Sequence, residues 1–216
     1  MNEQKRDAYL TGIIEGKESL EIPICDDSST RIGTMRPLTK KHIQDSDIAE
    51  KLTDWRNRYR ECFLTQFVAT PERTRHWLKT IAFSESNRLL FLIYSGDLLI
   101  GHYGFRDLSG DSVLADNLLR GERAGHPMLM KYAVLALVKW LFDAMQVNEV
   151  YGYIFADNAM GLKLNRDVGF VSTDRLPLQK QVDGDDITWI IGKAGEQSPD
   201  DRYYQKVVIR RGTPLA

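Results

Sequence analysis

The chain has 216 residues, 43% hydrophobic and 27% charged, with 29 basic and 30 acidic side chains and a formal net charge of −1. That length and balance suit one good-sized globular domain, and the near-neutral charge excludes a general affinity for nucleic acid or an anionic membrane. Two distant cysteines, Cys25 and Cys62, exclude a disulfide framework, and the scattered His42, His76, His102 and His126 give no metal-binding spacing.

The polar, charged opening predicts no secretory leader, and the longest apolar run is too short to span a bilayer, so a reducing, cytoplasmic setting is expected. Nothing in these features predicts an oligomer. Residues 1–30 are polar without a clear period and read as a loose N-terminal arm ahead of a single domain over 31–216. "RIGTMRPLT" (31–39) alternates like a strand. A helix follows from Lys41 to about Tyr59, with Ile43, Ile48, Leu52 and Trp55 on roughly one face. "TPERTRHWLKTIAF" starts a second helix, with Thr70 as cap and Pro71 at its first position.

Three strands are predicted at 88–95, 98–107 and 112–120, separated by Ser-Gly-Asp turns, which makes an antiparallel meander. Met130, Val134, Leu137, Leu141 and Ala144 then mark a long helix from Pro127, a crossover to a further strand, "EVYGYIF" (149–155). "NAMGLKLNRDVGF" (158–170) is a short helix stopped by Gly169. Strand-like segments at 170–182, 186–192 and 202–210 complete the chain, the first two joined at Asp183-Gly184. The fold class is α/β (α+β): a central mixed, mostly antiparallel sheet with helices on both faces.

The junction "RGERAGHP" (120–127) joins a strand to a helix through two glycines. A helix N-terminus offers unpaired N–H groups and about half a positive charge, and glycines admit a bulky anion to the backbone. The N–H groups of Arg123, Ala124, Gly125, His126 and Met128 are candidate anion donors, with Arg120 and Arg123 adding charge. No Gly-Lys-Ser/Thr follows, which argues against a mononucleotide P-loop.

The meander, this junction, the strand "VYGYIFADN" and the helix closing in "DVGF" together resemble the GNAT superfamily of acetyl-CoA-dependent N-acetyltransferases over roughly Arg31 to Phe170. The resemblance implies a single GNAT-like domain and acetyl-CoA as co-substrate, with no metal. CoA contacts would come from Leu118, Leu119, Arg120, Arg123, Ala124, Gly125, His126, Met128 and Asn158. "RGERAGHP" is a variant of the family's pyrophosphate-binding loop. Where many members carry a Tyr that protonates the leaving thiolate, four residues before the closing Gly-Phe, this chain has Asn165. Tyr151 and Tyr153, on the strand before, read as core or surface aromatics.

The stretch "DWRNRYRECFLTQFVATPERTRHWL" resembles the front half of GNAT enzymes that acetylate nucleotide-linked amino sugars in bacterial surface-sugar pathways, and "DNLLRGE" is similar to a stretch in them. This implies a small-molecule amine acceptor, met by Trp55, Arg56 and Asn57, with Arg56 on a diphosphate. Protein N-terminal acetyltransferases share parts of the pattern. A peptide N-terminus or a polyamine is therefore the alternative acceptor, and a CoA-binding module without turnover is the alternative class. Asp116 is the candidate base and Asn165 the candidate partner of the sulfur. Asn117, His102 and Tyr103 are candidates for acceptor contact. Strand alternation lets only one of Asp116 and Asn117, and only one of His102 and Tyr103, face the cleft; Glu122 is a further carboxylate nearby. Deprotonating a lysine-like amine near pKa 10.4 costs roughly 4–5 kcal/mol at neutral pH, against about 1–1.5 kcal/mol for an amine near pKa 8, which a weak base serves.

Overall fold

The computed structural model describes residues 2–84 and 86–215. In chain order its elements are α1 (Glu3–Ile14), β1 (Ile22–Cys25), β2 (Arg31–Pro37), α2 (Ser46–Arg58), β3 (Thr65–Gln66), α3 (Pro71–Trp77), β4 (Leu89–Ser95), β5 (Leu98–Ser109), β6 (Ser112–Arg120), α4 (Leu129–Asp143), β7 (Glu149–Phe155), α5 (Ala159–Val168), β8 (Val171–Asp183), β9 (Asp186–Ile191) and β10 (Arg202–Arg210). One sheet runs in the order β1-β2-β4-β5-β6-β7-β10-β8-β9-β3. Its pairs are antiparallel except β6 with β7, which α4 separates in sequence as a crossover must.

Alternation along β4 sorts the core into two layers. Leu89, Phe91 and Ile93 pack with α1 and α4, whereas Leu92 packs with Ile48, Leu52 and Trp55 of α2. A third cluster of Phe155, Leu178, Trp189 and Tyr204 sits under the β8–β9 hairpin. Among the described residues no helix is long and apolar enough to cross a membrane.

The expected loose arm over residues 1–30 is instead folded in part. Asn2 caps α1 by accepting from the Lys5 N–H at 3.0 Å, and Leu10, Ile13 and Ile14 are buried. Arg6 opens the same inward stripe and donates from Nη1 to the carbonyls of Gly110 (2.8 Å) and Met145 (3.3 Å). A stripe that begins with arginine and spans barely two turns gives little periodic signal. β1 then extends the sheet edge, its Ile22 and Ile24 turned inward. The helix expected from Lys41 is divided: a 3-10 turn over Lys40–Gln44 ends at Asp45, whose carboxylate accepts from the Ile48 N–H at 3.1 Å and starts α2.

Two irregularities shape the middle of the sheet. β6 and β7 pair over Ser112–Leu114 and Glu149–Tyr151, then part, so from Ala115 to Arg120 the edge of β6 that faces β7 has no strand partner among the described residues. On its other edge Gly104 pairs with Asp116 and His102 with Leu119, so Asn117 and Leu118 together oppose Tyr103. This is a β-bulge, and Asn117 accommodates it at φ 58°. The two-residue β3 was not expected. It pairs with β9, so the α2–α3 connection reaches from the middle of the sheet to its far end.

Leu10→Ala is expected to destabilise the protein by about 2–4 kcal/mol, the cost of emptying a well-packed leucine site. Urea unfolding measures it; a loss below about 1 kcal/mol would mean that α1 does not complete the core.

Candidate active site

Arg120 turns its charge onto the junction itself. Its Nη2 donates to the carbonyls of Ala124 (2.8 Å) and His126 (3.4 Å), Nη1 to Pro127 (3.0 Å) and Nε to Glu122 (3.1 Å). The guanidinium is thus spent on four loop carbonyls rather than presented to a phosphate, contrary to the sequence expectation. Gathering carbonyls on one side leaves the N–H groups of Arg123, Ala124, Gly125 and His126 without a protein partner among the described residues. Successive free N–H groups form an anion-binding concavity. Met128 is not a free donor, because its N–H is taken by His126 Nδ1 at 3.2 Å. Arg123 is exposed beside the free amides.

The two glycines serve packing more than ligand approach. Gly125 sits at φ 78°, and a Cβ there would meet Ser95 Oγ at 2.8 Å. A Cβ on Gly121 would stand 1.9 Å from the Trp55 ring. Trp55, fully buried, lies beneath the junction and donates from Nε1 to Glu122 Oε1 at 2.9 Å. Trp55 therefore supports the loop and does not wall an acceptor, and Glu122 is its hydrogen-bond partner. Arg58 Nη1 donates to the Gly121 carbonyl at 2.8 Å, and Ile100 O accepts from the N–H groups of Gly121 and Glu122.

Asn57 also departs from the expected acceptor contact. Its Oδ1 accepts from the Ala69 N–H (2.8 Å) and its Nδ2 donates to the Ala69 carbonyl (3.0 Å), clamping the chain ahead of α3. Arg56 lies with its guanidinium 4.2 Å from the Phe63 ring centre and 4.5 Å from that of Phe67, and donates from Nη2 to Thr65 O at 2.9 Å. Nothing in the spacing of Phe63, Phe67 and Arg73 signals this stack, which sequence reasoning missed.

The bulge on β6 overturns the expected alternation. Asn117 Nδ2 donates to Asp116 Oδ2 at 3.0 Å, so the two side chains meet instead of facing opposite ways. Arg106 Nε donates to the same Asp116 oxygen at 2.9 Å, a partner the sequence did not suggest. Of the neighbouring pair on β5, Tyr103 joins the α4-side core, its hydroxyl pKa pushed up by burial and then by Asp116. His102 turns to the other layer, its ring 6.1 Å from that of Trp55. Burial holds its pKa down at about 4, so the ring is neutral at pH 7. Nδ1, 2.7 Å from the Asn117 carbonyl, then carries the proton and donates. Leu119 packs against α2, and Leu118, half-buried, against the α4 layer, so neither leaves more than backbone for a ligand on the open edge.

At the end of β7, Asn158 is a helix cap whose Oδ1 accepts from the Gly161 N–H at 2.9 Å. Asn165 Nδ2 donates to the Gly161 carbonyl at 2.9 Å, so its amide is turned back on its own helix. Tyr151 and Tyr153 share one face of β7 with Phe155; Tyr153 stacks on Tyr204 at 6.1 Å and 15°. Where β6 and β7 part, the open edge of β6 runs from Asp116 towards the junction, and Tyr151 and Tyr153 stand on β7 across from it.

Residues 34–171 match the family model described as Acetyltransferase (GNAT) domain. No curated protein matches by sequence. Among solved structures, the Vibrio fischeri ribosomal-protein-S5-alanine acetyltransferase is 15% identical, with 84% of this chain and 94% of that chain covered and a TM-score of 0.62. The Vibrio cholerae spermidine N-acetyltransferase, in complex with CoA and spermine, is 12% identical over 84% and 97%, TM-score 0.62. The Campylobacter jejuni N-acetyltransferase PseH is 16% identical over 84% and 99%, TM-score 0.54. At such identities the likeness is one of fold.

His102 takes up its proton at lower pH in the folded chain than in the unfolded one. Between about pH 6.5 and 4 the unfolded state binds the extra proton, so stability falls as pH drops through that window, by about 3 kcal/mol. Urea midpoints against pH should fall less steeply for His102→Gln than for the parent; parallel curves would refute a buried neutral ring.

Proposed function

Because the chain belongs to the GNAT acetyltransferase family, we propose that it moves the acetyl group of acetyl-CoA to the primary amine of an amino sugar, by direct attack with both substrates bound. The observation that carries this reading is the junction whose carbonyls Arg120 collects and whose N–H groups at Arg123–His126 stay free. These amides, with the charge of Arg123, fit a pyrophosphate. The unpaired edge of β6 fits the amide-bearing arm of CoA, as one strand edge fits another. Acetyl-CoA supplies an activated thioester, and the protein's task is to hold it beside a neutral amine.

Asp116, held by Arg106 and Asn117, is fixed in position to accept the amine's proton through a water. His102 is too weak a base for that task, given its pKa. Asn165 supplies no acid, so the leaving thiolate takes its proton from water. A simple thiol has a pKa of about 8.5, so its thiolate leaves at little cost near neutrality. A weakly basic site of this kind suits an amine of low pKa better than a lysine or a polyamine. The carboxylates on this face also argue against a polyamine: Asp116 is paired with Arg106, Asp157 with Arg202, and Asp186 lies 3.9 Å from Arg73. The front half's resemblance to amino-sugar acetyltransferases supports the same acceptor.

Arg123→Glu should weaken CoA binding roughly tenfold at low salt without lowering the melting temperature, since it reverses an exposed charge beside the free amides. Calorimetry giving parental affinity would remove the pyrophosphate from the junction. Acetyl transfer, followed by mass spectrometry, should appear with amino sugars and their nucleotide-linked forms. Turnover of spermidine or an N-terminal peptide, with none of any sugar, would overturn the acceptor while leaving the acetyltransferase.

A further inference from the structure

A buried tyrosine hydroxyl ordinarily has a hydrogen-bond partner, because leaving water without one is costly. Tyr204 on β10 is 9% exposed, yet its hydroxyl has no partner among the described residues. The hydroxyl of its neighbour Tyr203, by contrast, accepts from the Ser198 N–H at 3.2 Å. The indole N–H of Trp189, in the same cluster, also lacks a partner but is sealed from solvent; the Tyr204 hydroxyl is not sealed. Tyr151 and Tyr153 are half-buried, so water satisfies their hydroxyls. Tyr204 therefore holds one open polar group in an otherwise closed aromatic cluster.

β6 and β7 last pair at Leu114 and Tyr151, so Asp116 and Tyr153 stand at one level on either side of the gap. Tyr204 stacks on Tyr153 (6.1 Å, 15°) and tilts against Phe155 (4.6 Å). Arg202, its guanidinium 3.9 Å from the Phe155 ring centre, pairs with Asp157, and Arg106 pairs with Asp116. Burial first, and then the negative Asp116, push the Tyr204 hydroxyl pKa well above its usual value, while Arg202 and Arg106 act in the opposite sense. The hydroxyl thus lies within electrostatic reach of both ion pairs. Even at the ordinary pKa of about 10, only about one tyrosine in a thousand is ionised at pH 7, so Tyr204 is no base. A thiolate, whose acid has a pKa of about 8.5, is too weak a base to take its proton, so Tyr204 is no acid either. What remains is a neutral hydroxyl, its proton drawn towards Asp116 and its oxygen open to a donor.

We propose that Tyr204 is a further catalytic residue, whose oxygen accepts one N–H of the neutral attacking amine and so orients its lone pair for attack. The other N–H is left to the water on Asp116. As the N–C bond forms and the C–S bond breaks, the proton lost by nitrogen passes through that water to Asp116. The thiolate takes its proton from solvent, and Tyr204 keeps its own. This rests on acetyl transfer with Asp116 as base, not on the identity of the amine.

The test is calorimetry on the full chain with three probes: CoA, the CoA thioether of N-methylacetamide, and the matching ketone with CH2 in place of the N–H. Only the amide offers a donor to Tyr204, and no probe carries a sugar, so the outcome does not depend on the acceptor. The parent should bind the amide roughly fivefold more tightly than the ketone. Tyr204→Phe keeps the ring and should lose that preference, while binding CoA and the ketone as the parent does. It should melt no lower, because it removes an unpartnered group. Tyr153→Phe should keep the preference. For any amine that is acetylated, kcat/KM for the amine should fall roughly tenfold in Tyr204→Phe, with KM for acetyl-CoA unchanged. No amide preference in the parent, or one that survives Tyr204→Phe, overturns the contact, and so does an unchanged kcat/KM. A lower melting temperature with the preference intact would make the hydroxyl structural and overturn it as well. Asp116→Asn that transfers acetyl at the parental rate would sink the base and leave the Tyr204 contact standing.

Discussion

The last turn of α2 governs how the two sides of the cleft are held. Four consecutive residues there fasten two segments, the junction and the α2–α3 connection. Trp55 presses on Gly121 and bonds Glu122, Arg56 reaches Thr65 between two rings, Asn57 clamps Ala69, and Arg58 takes the Gly121 carbonyl. A tryptophan this close to a backbone tolerates no side chain at position 121, so loop and helix are set against each other by steric fit. The junction and the Phe63–Arg56–Phe67 stack are therefore anchored on the same turn of α2.

The cleft itself comes from interrupted pairing. Parallel β6 and β7 keep company for three residues and then part, which exposes backbone on β6 that a continuous sheet would have consumed. The bulge at Asn117 works on the other edge. It turns the Asn117 carbonyl to His102 and its amide to Asp116, so one left-handed residue organises both an imidazole and a carboxylate. Burying His102 neutral costs acid stability, and the return is a hydrogen bond that holds the bulge.

Much of the fold was legible because long periodic segments carry it. The meander, the crossover helix and the hairpin at Gly184 follow from alternation, helical spacing and turn residues. α1 escaped because its inward stripe opens with arginine, and β3 because two residues carry no period. The junction was legible as a glycine-bearing strand-to-helix turn with unpaired amides. The division of labour within it was not. That Arg120 serves the carbonyls, Gly121 serves Trp55 and Gly125 serves Ser95 depends on neighbours distant in sequence. The same holds for Asn57 and Asn117, whose partners follow from the path of the chain and from a bulge that strict alternation does not anticipate.

The central claim is that the amides of Arg123–His126 are free in order to take an anion from CoA. Backbone amide NMR during titration with CoA alone reads it residue by residue. The account predicts large shifts, saturating together, at Arg123, Ala124, Gly125 and His126 and along the open edge of β6, with little change in the β8–β9 hairpin. Unmoved amides at 123–126, with CoA bound and shifts elsewhere, would contradict it.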